Sequence, residues 1–385
     1  MPTAAPERVF TARRTALAAW LLALSLVALC ACSLPGYAKS VSHATSTVVV
    51  NVRDKGAKGD GVHDDTAAIQ SAIDSLPARG GTVTVPAGTY MIDAMRSIVL
   101  RSNMSLHLAS DATIKALPNS SQRSYMIKVW HVDNVNITGG NIVGERDGHT
   151  GKGGEWGYGI NIQGANHVRV SNVHISNCWG DGMWIGALGW APHEIPSTDV
   201  VVDNIVSTNN RRQGLSIGPV NGVTISNSTF SNTHGTMPQA GIDIEPQTQG
   251  PATNITIDHC TMVDNRGSGL EIKDNVSNVT VKNCSFTNNY GYGVLTVDGA
   301  SQVTISNNRI TGNGLTGISI AGKSSHVQAT GNTLGDNSAR YPMKPDSPDA
   351  GNTRFIQGRQ LEVKDSTSQI TASSNTFAPQ TQWQH

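Results

Sequence analysis

The sequence predicts an all-β protein: a right-handed, single-stranded parallel β-helix, a solenoid of about 24 residues per turn with a short capping helix near its N-terminus. Three observations predict it. First, a motif of Val/Ile, any residue, Val/Ile, any residue, Asn, two spacers and a large apolar residue recurs along the chain. Clear copies start at Val135, Val168, Val200, Val223, Ile255, Val279, Val303 and Val327, with a weaker one at Ile370. Second, the starts are 33, 32, 23, 32, 24, 24 and 24 residues apart, so a unit of about 24 residues carries roughly nine more in three of its copies. Third, each unit holds three short alternating runs separated by Asn- or Asp-rich turns, the last run led by Gly as in Gly269-Leu270-Glu271-Ile272. Three short strands per turn is the pattern of a β-helix.

Taken in order, residues 1–38 read as an export signal and residues 39–385 as the β-helix domain. Arg8, Arg13 and Arg14 precede an apolar stretch over 16–31. Three endings stay open: a lipobox in Leu29-Cys30-Ala31-Cys32 with Cys32 lipidated and tethered to a membrane, a cleavage site after Gly36-Tyr37-Ala38, or a retained anchor. Each places the folded part outside the cytoplasm, in the periplasm, at the outer membrane or outside the cell. Next, Asp64-Asp65-Thr66 supplies N-cap chemistry for a short helix through Ile69 and Ile73 that ends before Pro77 and plugs the solenoid. In the repeats, period-two alternation turns Val279, Val281, Leu270 and Ile272 inward, to stack on their equivalents about 4.8 Å away. Asn172, Asn204, Asn227, Asn283 and Asn307 are expected to form a turn ladder. Residues 339–355 read as a loop before a last turn that ends near Phe377.

Composition limits the function. The 385 residues are 38% hydrophobic and 15% charged, enough for a large core, and the formal charge is zero. Without residues 1–38 the chain has 25 basic and 27 acidic side chains, a balance that argues against nucleic acid as a partner. A monomer is expected. Only Cys178, Cys260 and Cys284 lie in the body of the protein, too few for a disulfide scaffold. Cys260 and Cys284 fall at equivalent places in adjacent turns, as a bridge or as a buried thiol stack.

The insertions mark where chemistry would sit. Two precede the Gly-led strand, at 144–158 and 233–240, and two follow it, at 186–198 and 246–254. They make two rims around an outward row of Asn161, Trp184, Ser216, Asp243, Glu271, Leu295 and Ser319, beside a second row of Gln163, Gly186, Gly218, Glu245, Lys273 and Val297. Such a groove suits an extended polymer. Trp156, Trp179, Trp184 and Trp190 cluster there; sugar rings stack on such faces, and Trp179 is also a candidate to pack under a loop. Asp243 and Glu245 point to one side of a strand, and Glu271 follows about 5 Å on, with Asp181 roughly 10 Å the other way. Crowded carboxylates split their pKa values, which is what glycoside hydrolysis needs. The same three acids are a calcium candidate. β-Elimination or C5 epimerisation would need a base, for which Lys273, Arg212, Tyr158, His193 and His234 are candidates. The bland alternative is a solvated polar row balanced by Lys273, Arg211 and Arg212.

The run Val52-Arg53-Asp54-Lys55-Gly56-Ala57-Lys58-Gly59-Asp60-Gly61-Val62-His63-Asp64-Asp65-Thr66, with Gly80-Gly81-Thr82-Val83-Thr84-Val85-Pro86-Ala87-Gly88-Thr89-Tyr90, resembles the N-terminal signature of the pectate lyase superfamily of β-helix proteins. That resemblance implies the fold and a polysaccharide substrate. Arg212-Gln213-Gly214-Leu215-Ser216-Ile217-Gly218 is similar to a polygalacturonase stretch in which a histidine stands at the place of Gln213. Ala191-Pro192-His193-Glu194 resembles the Asp-Pro-His-Glu motif of mannuronan C5-epimerases, with Ala191 and Leu188 at places where that family has Asp and Tyr, so only His193 and Glu194 carry over. The expectation is an exported enzyme that cleaves glycosidic bonds in an acidic polysaccharide, with hydrolysis favoured over elimination or epimerisation. Asp243, Glu245 and Glu271 are central, Arg211, Arg212 and Lys273 hold acidic groups, and Asn161, Trp156, Tyr158, Asp181, Trp184, Trp190, His193, Gln213 and His234 meet substrate. The alternative outside enzymes is a polysaccharide-binding or assembly protein.

Overall fold

Alternating β-branched residues separated by turns of fixed length leave one economical arrangement, a chain that coils so that each strand pairs with its equivalent one turn on. A computed structural model of the protein describes residues 48–338, 353–357, 360–364 and 366–378, all within one compact unit spanning 43–385. The signal segment 1–38 with Cys32, and its boundary, lie outside the described residues. Three parallel sheets of 12, 12 and 11 strands run along the solenoid. In the first sheet the register links Val135, Val168, Val200, Val223, Ile255, Val279, Val303, Val327 and Ile370, which are the repeat starts.

The third sheet places Lys128, Asn161, Trp184, Ser216, Asp243, Glu271, Leu295, Ser319 and Glu362 in one row. Its Gly lead has a steric cause. A Cβ on Gly241 would stand 2.7 Å from the carbonyl oxygen of Gly269, and one on Gly269 would stand 2.7 Å from that of Gly293. Backbones approach too closely here for any side chain.

The turns divide into two kinds. Asn172, Asn204, Asn227, Asn283 and Asn307 all hold φ between 51° and 58°, the left-handed region that Asn tolerates. They join only in part, as Asn204 Nδ2 donates to Asn172 Oδ1 at 2.7 Å but Asn227 and Asn283 donate to Asp203 and Asp258. Continuous ladders are internal and fall on other residues, one on Asn265, Asn289 and Asn313, leading on to Asn337 and Gln360, and a second on Asn308, Asn332 and Asn375. Asn313 Oδ1 accepts from the Asn289 amide N and Nδ2, and its Nδ2 donates to Phe286 O and Asn337 Oδ1. Asn313→Ala orphans several buried groups at once, so it is expected to lower unfolding free energy by about 2–4 kcal/mol in a urea titration. Asn227→Gly, at an exposed left-handed position, should change it by less than about 1 kcal/mol.

A short helix, α1, spans Thr66–Asp74 and packs Ile69 and Ile73 fully out of solvent. The cap differs in detail from the expectation. Asp65 at the N-cap position accepts instead from the amides of Lys58 and Gly59, while Asp64 Oδ1 takes the amide N–H of Thr66 at 2.9 Å. At the other end, Thr353–Gln357 is a strand antiparallel to Leu361–Lys364, where a loop was expected, and residues 339–352 lie outside the described residues. The last strand is Thr376–Phe377. Cys260 and Cys284 are free, buried thiols, the stack rather than the bridge.

Candidate active site

The groove forms because the third sheet is flat and its outward row is walled by inserted loops. Trp156 and Tyr158 from the first insertion, Gly189 and Trp190 from the second, and Pro246, Gln247 and Gln249 from the last line a groove of about 300 Å³ over Asp243 and Glu245. The 233–240 insertion contributes nothing to that lining. Trp184 lies flat because the next row has no side chains beneath its ring. A Cβ on Gly186 would stand 2.2 Å from the ring and one on Gly218 would stand 3.0 Å from it. Tyr158 stacks on Trp184 at 6.4 Å between centroids and on Tyr125 at 5.5 Å, and Trp130 meets Tyr125 edge-on at 5.6 Å. These rings make an aromatic wall on one side of the acids.

Asp243, Glu271, Glu245 and Lys273 converge as the register requires. Lys273 Nζ lies 2.5 Å from Glu271 Oε2, 3.5 Å from Asp243 Oδ1 and 3.9 Å from Glu245 Oε2. Asp243 is 2% exposed, and Gln213 Nε2 donates to its Oδ2 at 2.5 Å. Its Oδ1 has no hydrogen-bond partner. Burial pushes the Asp243 carboxyl up to about 7; Lys273 opposes the rise, and Glu271 and Glu245 add to it. Burial would lower the Lys273 ammonium, but Asp243, Glu271 and Glu245 outweigh it and raise it.

A second network sits behind the first. Arg212 Nε donates to Glu155 at 2.9 Å, and its Nη1 donates to Asp181 Oδ2 at 3.1 Å and to Gln213 Oε1 at 2.8 Å. Ser216 Oγ lies 2.7 Å from Asp181 Oδ2 and also against Gln213 Oε1, its single hydroxyl proton shared between the two oxygens. With its oxygen held by two donors, the Gln213 amide must turn its NH₂ to Asp243. Burial would lower the Arg212 guanidinium, but Asp181 and its other neighbours outweigh it and raise it; burial also raises Asp181, against the pull of Arg212.

Several expected substrate contacts lie elsewhere. Asn161 and Asp181 are fully buried, Asn161 accepting from Trp130 Nε1 at 3.1 Å and Asp181 held by Arg212 and Ser216. Arg211 stacks over Trp179 at 3.9 Å and donates to the carbonyls of Gly154 and Trp179. Trp179 is thus sandwiched between Arg211 and His149 under the first insertion, the packing alternative. His193 is exposed and His234 contacts Arg146 and Asn232; neither lines the groove. Nor do Arg211, Arg212 and Lys273 stand ready for acidic sugars, since Arg212 and Lys273 already neutralise internal carboxylates and Arg211 props a loop. Calcium does not fit the three acids either, because the ammonium of Lys273 holds the place a cation would take. Among the described residues no group of three or more His, Cys, Asp or Glu is arranged for a metal.

Sequence reasoning missed Glu155, Arg123, Tyr125, Lys128 and Trp130. The last four lie on the strand Arg123–Trp130, which pairs with Trp156–Gln163. Its coil precedes the first clear repeat copy, and extending the row by one coil from Asn161 to Lys128 is the signal that finds it.

Comparison with known proteins agrees with the fold. A family model described as right handed beta helix region matches residues 97–249 and 239–378. A second, rhamnogalacturonase A/epimerase, pectate lyase-like, matches residues 49–141. The mannuronan C5-epimerase AlgE4 of Azotobacter vinelandii is 32% identical over 174 residues, 41% of this chain and 30% of that protein. The chain spans well under half the length of the curated relatives it matches. Among solved structures, the A-module of the A. vinelandii mannuronan C-5 epimerase AlgE6 superposes with a TM-score of 0.65 at 22% identity, covering 86% of this chain and 88% of that one. PfbA, a surface adhesin of Streptococcus pneumoniae, superposes with a TM-score of 0.63 at 19% identity, covering 86% and 90%.

Proposed function

From the premise that this chain belongs to the right-handed β-helix family, as a pectate lyase-like member, we propose that it is an exported enzyme that hydrolyses glycosidic bonds in an acidic polysaccharide. One observation carries the reading: a carboxyl titrating near 7, Asp243, lies at the floor of an aromatic-walled groove with one oxygen free of hydrogen bonds and only the Lys273 ammonium nearby among the described residues. Such a group holds a proton at neutral pH and can give it up in the reaction. Asp243 Oδ1 protonates the glycosidic oxygen as its bond to the anomeric carbon breaks. Glu245, 28% exposed and two residues along the same strand face, guides water to that carbon and takes its proton. Lys273, paired with Glu271 and near Glu245, is held as a cation and does not itself act as a base.

Elimination and epimerisation need a base at C5, and the named candidates serve poorly. Lys273 and Arg212 are held as cations, and burial, with Asp181 adding to it, lifts the Tyr158 hydroxyl well above its ordinary range. The epimerase relatives support a polysaccharide ligand at large. Export rests on residues 1–38 alone. The test incubates the protein with acidic polysaccharides and follows reducing ends and near-ultraviolet absorbance. Hydrolysis predicts new reducing ends without absorbance. Absorbance from an unsaturated uronate would replace the reading with a lyase, and binding without any product would replace it with a binding protein.

A further inference from the structure

We propose that Arg123 and Lys128, seated on Trp156, Tyr125 and Trp130, form a subsite for a negatively charged sugar at the end of the groove that precedes the carboxylate cluster. The proposal rests on reading the groove as a polysaccharide site, and names which part of it recognises charge.

The cations around the carboxylate cluster are already engaged. Arg212 and Lys273 are each tied to two or more carboxylates, and Arg211 to carbonyls and Trp179. Arg123 and Lys128 make no ion pair among the described residues. Both are nevertheless held in place: the Arg123 guanidinium lies 4.7 Å from the Trp156 ring, and Lys128 Nζ lies 4.8 Å from Trp130 and 5.4 Å from Tyr125. Stacking fixes a cation while leaving its N–H groups open toward the ring edge, where a carboxylate or sulfate can be met by charge-assisted bonds. Partial burial lowers the Lys128 ammonium, a cost that a bound anion would relieve.

Position supports the assignment. Arg123, Tyr125 and Trp156 line the same groove as Asp243. Lys128 stands in the same row four coils earlier, roughly 19 Å away at about 4.8 Å per coil. A polymer lying along the solenoid axis over Trp184 and Tyr158 can place one charged unit at this pair while another bond lies over Asp243.

The experiment is calorimetric binding with the full chain carrying Asp243→Asn, so that turnover has no bearing on the readout. The probes are polygalacturonate, its methyl ester as a neutral match, and dextran sulfate, each at low and high salt. Adding Arg123→Gln and Lys128→Gln together is expected to weaken polygalacturonate about 10–100-fold, to flatten its salt dependence, and to leave the ester unchanged. Arg123→Lys with Lys128→Arg keeps both charges and should retain the salt dependence that the Gln pair loses, which separates charge from folding. Equal loss of dextran sulfate assigns the subsite to anions in general; loss of polygalacturonate alone assigns it to carboxylates. The proposal is overturned if the Gln pair binds polygalacturonate as the parent does, if the ester weakens equally, or if neither anionic polymer binds the parent. A wild-type enzyme that cleaves only neutral polymers would overturn this subsite and leave hydrolysis standing; absent cleavage with charge-dependent binding would do the reverse.

Discussion

Asp243→Asn is expected to lower turnover by about 10²–10⁴-fold with little change in substrate affinity, because the amide has no acidic proton to give the leaving oxygen. The pH profile is the sharper readout. The proposed mechanism requires Asp243 protonated, so the rate should fall about tenfold per unit as pH rises beyond about 7, and that limb should vanish from the residual rate of the variant. Stability should also fall as pH rises, but over a lower range than activity. In the unfolded chain the carboxyl titrates near 4 and in the fold near 7, so between these values the folded protein holds the extra proton. The stability linked to that proton is fully present below about pH 4 and is lost as pH rises through 7. Asp243→Asn should therefore unfold at a higher temperature than the wild type at pH 8, with the gain shrinking toward pH 4. A loss of stability at pH 8 would show instead that the Lys273 ion pair outweighs the burial.

Arg212→Met carries the largest expected effect on folding, about 3–5 kcal/mol, measured by urea denaturation. The guanidinium is 17% exposed and bridges Glu155 on an inserted loop to Asp181, which is fully buried. Without it, Asp181 is a buried carboxyl whose remaining donor among the described residues is Ser216. It must then take up a proton, and the cost grows as pH rises. Arg212→Lys should recover little, since one ammonium cannot reproduce bonds directed to Glu155, Asp181 and Gln213. Adding Asp181→Asn to Arg212→Met should return a substantial part of the stability, giving a coupling term above about 1 kcal/mol in the double-mutant cycle. Activity should also fall, because Gln213 loses one of the two donors that aim its amide at Asp243.

Much of this architecture was legible in the residues. The coil length counts out the register, and period-two alternation decides which face of each strand is buried. The row from Asn161 through Asp243 to Ser319 and the convergence of Asp243, Glu245, Glu271 and Lys273 therefore follow from spacing alone. The Gly lead was visible as a pattern, and the crowding of successive carbonyls explains it.

What tertiary structure alone decided is where side chains end. Adjacent coils are about 4.8 Å apart, while an Arg or Lys side chain reaches farther than that, so a cation can choose partners on several neighbouring coils. Arg212 turned to Glu155 and Asp181, Lys273 to three acids, and Arg211 to Trp179. Asn161 and Asp181 were buried, and the internal Asn ladders settled on Asn265, Asn289 and Asn313 and on Asn308, Asn332 and Asn375, away from the surface turns. Arg123 and Lys128 were left on aromatic rings without a counterion among the described residues. Sequence by itself determined the coil, its register and the carboxylate row, because these are fixed by backbone counting; which charges are neutralised and which face the groove depended on the packing of long side chains between coils.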